Sequence, residues 1–225
     1  WSSDVYSSDL KTRKSMTLAY QDIGRKFDNS IDDEDLSQLR QIYFDQQRML
    51  WRNDPILSKV MDVADARHFL ERTGIGANLF DIRNLVGVPR ADAIHALLSQ
   101  MDGAVQTPLP DFVFDRNTEY WIRWDYDEPG RQSFRIARDR EISEFRNWWI
   151  HEMIKTTKPQ NERLLLFWTD HFPVEYSAIN QESFAIAKQH MMFRQHGFGN
   201  FKKLVKAIIC DPAMQNYLNG ENNNK

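Results

Sequence analysis

Pro159-Gln160-Asn161-Glu162-Arg163-Leu164-Leu165-Leu166-Phe167-Trp168-Thr169-Asp170-His171-Phe172-Pro173 reads as one helix bracketed by two prolines. The first suits a helix start, where a missing N–H costs nothing, and the second cannot continue a helix. Leu164 to Trp168 are so uniformly apolar that nearly all of this helix is expected inside, as the central core element. A helix buried on every side needs other helices around it, so the stretch argues for an all-α fold. It closes on Asp170 and His171 among large aromatics, which makes that end the first place to look for chemistry.

The flanks supply the partners. Phe134, Ala137, Ile142, Phe145, Trp148, Trp149 and Met153 recur every three or four residues and predict a long amphipathic helix over 131 to about 155. Downstream, Ser183 starts a helix through Phe184, Ile186, Met191, Met192 and Phe193 that stops at Gly197. Asn200 caps the next, through Leu204, Val205, Ile208 and Ile209, and Asp211-Pro212 starts a last one ended by Gly220. Upstream, Ile31, Leu36, Leu39, Ile42, Tyr43, Met49 and Leu50 mark a long helix with Asp32 to Asp35 in its first turn, where the helix dipole favours negative charge. Asp54-Pro55 then predicts a helix through Ile56, Val60, Val63, Ala64, His68, Phe69 and Leu70, ended by Gly74. Asn78 caps a short helix over 79 to 86, and Pro89 opens another through Ile94, Leu97, Leu98 and Met101, the two joined at Gly87.

Residues 102 to 130 interrupt this pattern with Gly103, Pro108, Pro110, Pro129 and Gly130. The expected architecture is an irregular multi-helix bundle with a long aromatic-rich loop there. Phe112-Val113-Phe114 and Tyr120-Trp121-Ile122-Arg123-Trp124 leave room for a small hairpin. Loops of this length are often functional, so Trp121 and Trp124 are candidates for stacking on a sugar ring or a partner. The plainer alternative, that they plug the loop onto the helical body, carries more weight because large aromatics are usually buried. Residues 1–30 read as a loosely ordered arm and 31–225 as one helical domain, expected to be truncated at its C-terminal end, where Glu221-Asn222-Asn223-Asn224-Lys225 interrupts an ordered helix.

Composition sets bounds. The 225 residues are 41% hydrophobic and include seven Trp and fourteen Phe, enough bulk for a substantial core. A formal net charge of −3 offers phosphates no general attraction, so a nucleic-acid partner is not expected. Lys188, Arg194, Lys202, Lys203 and Lys206 lie at helical spacing among apolar residues, which suits a solvated face better than an anion site. The apolar runs fall far short of the roughly twenty residues a membrane span needs. Cys210 is alone and, between Ile208, Ile209 and Pro212, reads as an inert core residue.

Most chemical motifs fail on spacing. Gly74-Ile75-Gly76 follows a helix and lacks the third glycine of a dinucleotide loop, and Asp32 to Asp35 lack the glycine and ligand alternation of a calcium loop. His151-Glu152 has no second histidine four residues after the first, and His190 and His196 point to different helix faces, so no metal ligand set is expected. Nor does any residue set name a cofactor. Asp170 and His171 are the remaining catalytic candidates, a carboxylate able to orient an imidazole as general base. Adjacent helical residues do not face each other, however. The plainer alternative has His171 bonding a free carbonyl at the helix end and Asp170 meeting an arginine.

Five segments in order carry a resemblance. They are Ala66-Arg67-His68-Phe69-Leu70-Glu71-Arg72-Thr73-Gly74-Ile75-Gly76, Trp148-Trp149, Glu162 to Phe172, Gly199-Asn200-Phe201-Lys202-Lys203-Leu204, and Asp211-Pro212-Ala213-Met214-Gln215-Asn216-Tyr217-Leu218-Asn219-Gly220. Over roughly residues 60 to 225 the chain resembles the bacterial domain of unknown function 1800 family. The resemblance implies a mostly helical protein, exported to the periplasm, cell surface or medium, and often encoded beside a sulfatase- or phosphatase-like partner. It implies no established activity. The expected role is an interaction or accessory module of a cell-envelope or extracellular assembly. The alternative is a hydrolase, metal-assisted or not, joining Asp170 and His171 to residues beyond Lys225, since family members continue past that point.

Overall fold

The computed structural model describes residues 33–114 and 127–220. Among them nine helices and no strand occur, so the all-α expectation holds. The helices are α1 (Asp33–Arg52), α2 (Val63–Thr73), α3 (Leu79–Leu85), α4 (Arg90–Ser99), α5 (Glu128–Lys155), α6 (Pro159–His171), α7 (Ser183–His196), α8 (Phe201–Ile209) and α9 (Pro212–Tyr217). A 3-10 turn, Asp111–Val113, lies between α4 and α5. Their starts follow from capping chemistry: the side chains of Asp62, Asn78, Asp127, Asn200 and Asp211 each accept a backbone N–H three residues on.

Capping also explains where the sequence misleads. The predicted helix start at Asp54-Pro55 is wrong: Asp54 Oδ1 accepts from the N–H groups of Ile56 and Leu57 at 2.7 and 3.1 Å and closes an isolated turn. The chain then runs extended, with Val60 bridging Pro89 and Met61 N–H donating to the Val88 carbonyl at 2.9 Å, before Asp62 caps α2. Pro129 and Gly130 belong to the first turn of α5, not to the loop, because Asp127 caps ahead of them. Phe112 and Val113 sit in the 3-10 turn and form no hairpin arm, while Trp121, Trp124 and the rest of the second proposed arm lie outside the described residues.

Three clusters of buried side chains hold the helices together. Leu165, Phe193, Leu204, Ile208 and Met214 join α6 to α9, and Trp149, Trp168 and Phe172 pack against them. At ~2 kcal/mol for each large apolar side chain removed from water, the first five contribute roughly 10 kcal/mol before conformational entropy is charged against them. Met61, Ala66, Ile82 and Ala93 tie α2, α3 and α4 together, and Val113, Phe145, Trp148 and Ala187 tie the 3-10 turn to α5 and α7.

Two helices depart from their predicted faces. The buried residues of α5 are Arg138, Ile142, Phe145, Trp148 and Glu152, so a charge stands near each end of the seam, while Ala137 is exposed. Arg138 is tolerated there because its guanidinium lies 4.7 Å over the Phe134 ring and donates to Glu141 Oε2 at 2.9 Å. Glu152, fully buried, accepts from Gln106 N–H, Thr107 N–H and Thr107 Oγ1 at 2.7, 2.8 and 2.6 Å, and thereby fixes the loop that follows α4. The second departure is α6, expected to lie almost wholly inside. Arg163, Phe167, Asp170 and His171 are exposed, since the neighbouring helices cover only the side of Asn161, Glu162 and Leu165. Cys210, expected in the core, is also exposed, at the C-cap of α8.

Candidate functional site

Two structures are built on α6, one buried and one open. The buried one starts at Glu162 in the helix's first turn. Its Oε2 accepts from Arg194 Nη2 of α7 and from Trp149 Nε1 of α5, both at 2.8 Å. Arg194 Nε also donates to His190 Nε2 at 3.0 Å, one helical turn back. A guanidinium can only donate, so His190 accepts at Nε2 and carries its proton on Nδ1. The imidazole is enclosed by the rings of Phe145, Trp148 and Trp149 at centroid distances of 5.3, 5.9 and 4.4 Å. Burial, with the Arg194 charge beside it, holds its pKa well below the ordinary histidine value. The knot therefore contains a neutral histidine and one buried ion pair. Among the described residues, Glu162 Oε1 and Arg194 Nη1 make no hydrogen bond, so the pair is joined at one point instead of two.

The open structure lies at the other end of α6. Trp168 donates from Nε1 to the Gly197 carbonyl at 2.9 Å, and a Cβ at Gly197 would stand 2.7 Å from Trp168 Cδ1, so only glycine permits this approach. Around Trp168 the rings of Phe172 and Phe201 stack at 6.0 Å, and Phe167 meets it edge-on at 4.8 Å. Phe201 is placed by Asn200, whose side chain caps α8 through Lys203 N–H at 3.2 Å. His171 stacks on Phe167 at 5.5 Å with 13° between planes and meets Phe172 edge-on at 4.6 Å. Phe167 and Phe201 are 51% and 58% exposed, and His171 faces solvent with them. The result is an aromatic platform on a base that cannot readily shift.

Asp170 and His171 both sit at this exposed end. Among the described residues no side-chain hydrogen bond joins Asp170 to His171, or either of them to an arginine or a free carbonyl. The sequence did not join Glu162, His190 and Arg194, and the expectation that Arg194 belongs to a solvated face is wrong, since it is 2% exposed and paired with Glu162. The signal for them was a histidine and an arginine four apart in the otherwise apolar run around Met191, Met192 and Phe193. A separate open groove of about 530 Å³ is lined by Gly103, Lys188, Met191, Met192, Arg194 and Gln195, with neither Asp170 nor His171 among its lining. Among the described residues no cluster of three or more His, Cys, Asp and Glu side chains could hold a metal ion.

Capped helices around three small cores, with one polar knot and one exposed aromatic face, define an all-α multi-helix protein. The chain belongs to the family described as Protein of unknown function (DUF1800), which it matches over residues 68–225. No curated protein and no solved structure matches it.

Proposed function

We propose that this chain is an interaction or accessory module of an exported assembly, at the cell envelope or outside the cell, and that it meets a protein partner through Phe167, His171 and Phe201. The observation that carries this reading is the platform itself. Two segments some thirty residues apart converge to hold large rings toward solvent on a hydrogen-bonded tryptophan. Exposed aromatics cost free energy unless something covers them, and pre-ordered aromatic anchors dominate binding at protein interfaces. A rigid platform also loses little entropy on docking.

The partner class expected from the family resemblance is a sulfatase- or phosphatase-like protein encoded beside this one. Titrating full-length protein with that partner tests the reading. Phe167→Ala with Phe201→Ala should weaken binding by roughly 10- to 100-fold at unchanged melting temperature. Equal affinity for wild type and double variant would refute it. Export is checked separately by cell fractionation, the protein being expected outside the inner membrane.

A second reading, hydrolysis through Asp170 and His171, draws support from the exposure of both side chains at one helix end. It requires a copurifying metal or a turnover that His171→Ala removes at unchanged melting temperature.

A further inference from the structure

The aromatic platform does not end at Phe201. Successive side chains are set about 100° apart around a helix, so Phe201, Val205 and Ile209 of α8 follow one another along a single flank. Phe201 and Ile209 are 58% and 59% exposed and Val205 is half-buried, while Leu204 and Ile208 take the side that faces the core. Phe201 is joined to α6 through the Trp168 ring, beside which Phe167 stands. Phe167, Phe201, Val205 and Ile209 therefore make one apolar strip that crosses from α6 onto α8 and continues for roughly 12 Å along it.

The borders of the strip carry opposite signs. On α8 the same rotation sets Lys202 and Lys206 beside Val205 and Ile209, on the flank turned away from the core, and both are exposed. The nine residues Phe201–Ile209 hold three lysines and no acid, in a chain whose Asp and Glu outnumber its Lys and Arg by 32 to 29. This face is basic against the sign of the whole. Among the described residues neither Lys203 nor Lys206 has an ion-pair partner. On α6 the exposed Asp170 lies on the side of Phe167 turned away from Trp168. Across the surface the order is thus an acid, the apolar strip, and then the bases.

We propose that this strip receives an acidic amphipathic segment of the protein partner, its apolar side chains covering Phe167, Phe201, Val205 and Ile209 and its Asp or Glu residues facing Lys202 and Lys206. The proposal rests on the reading that Phe167 and Phe201 meet a protein, and it adds the partner's sign and the path of the contact. Charge selects the occupant: bases along an apolar strip draw in an acidic rim and repel a basic one. An anionic lipid surface would satisfy the same lysines, but a membrane lies over the whole strip and sets its charge against Asp170 as well. A folded partner can place a base there instead.

Selection from a display library of random peptides on the full chain tests this. The expected winners combine Leu, Phe or Met with Asp and Glu, and bind about tenfold more weakly to Lys202→Glu with Lys206→Glu and in about 0.5 M salt. The charge-reversed chain should enrich basic peptides instead. Winners without acidic bias, or with equal affinity for both chains, would overturn the proposal. So would phosphatidylglycerol vesicles that bind the wild type and not the reversed chain while no acidic peptide is enriched, since lipid would then be the occupant. Phe167→Ala with Phe201→Ala separates the two readings. Acidic peptides that bind this variant as tightly as the wild type would remove the platform as a protein anchor, and this proposal with it. Binding lost there but indifferent to the lysines would leave the platform standing and remove only the sign assigned to its partner. Both lysines are exposed, so melting temperatures should not change. If the reversal lowers them, Lys202→Gln with Lys206→Gln takes its place, with a loss of about threefold expected and unchanged affinity counting against the proposal.

Discussion

At the scale of single residues, the knot around Arg194 governs how the molecule responds to acid and to truncation. His190 is held neutral in the fold, its pKa pushed down first by burial and then by Arg194. The unfolded chain binds a proton there near pH 6.5 and the folded chain does not, so stability contributed above that pH is lost as pH falls below it. We expect unfolding free energies from urea titrations to decline below about pH 6.5 by up to ~1.4 kcal/mol per pH unit, and His190→Gln to flatten that slope. Glu162 and Arg194 are each almost completely buried, and removing one strands the other. Glu162→Ala should cost about 3–5 kcal/mol in chemical denaturation, while Glu162→Leu combined with Arg194→Met should cost markedly less, since an apolar pair leaves no orphaned charge. If the single variant cost less than the double, the ion pair would not be the term that matters.

At the scale of elements, helix ends were legible and helix faces were not. Asn78, Asn200 and Asp211 announce their helices because a cap is local: one side chain, one N–H, three residues apart. Asp54 deceives for the same reason, since an isolated turn uses the same bond before the chain leaves the helical path. Which side of a helix is buried depends on distant residues. Arg138 rather than Ala137 faces inward partly because Ser183 at the start of α7 accepts from its Nη1 at 3.4 Å, a contact that no reading of α5 alone supplies. The knot escaped notice likewise, its members lying on three helices, whereas the platform's aromatics were visible and only their exposure was not. The entry to α7 carries a further test. Asn180 and Gln181 both have left-handed backbone, with φ of 57° and 61°, a conformation that costs a non-glycine residue of the L series. Gln181→Gly should raise stability by roughly 0.5 kcal/mol, the relief of strain outweighing the freer unfolded chain, as a shift in thermal midpoint.

At the scale of the whole molecule, a chain of modest net charge distributes the buried apolar material of its described residues over three clusters and leaves rings and aliphatic side chains on its outside. The family was legible from five ordered segments, and the structure shows that at least two of them, Trp148-Trp149 and the stretch from Glu162, meet at one place. A property of the surface follows from Cys210, which is exposed and has no disulfide partner. We expect its thiol to react with a disulfide reagent in native buffer at a rate within about tenfold of that in urea, and covalent pairs of chains to form in oxidising conditions. Native-state protection by a hundredfold or more would mean that the face around it is covered in solution.

Glu152 sets an order of events during synthesis. The amides it captures belong to Gln106 and Thr107, made 46 and 45 residues earlier. At elongation speeds of up to ~20 residues per second, that segment waits at least about 2 s for its acceptor to be added, and longer while the acceptor clears the ribosome. Until Phe145 follows, 33 residues after Phe112, Phe112 and Val113 have no ring to lie against, so the nascent chain shows a greasy segment that a chaperone can hold.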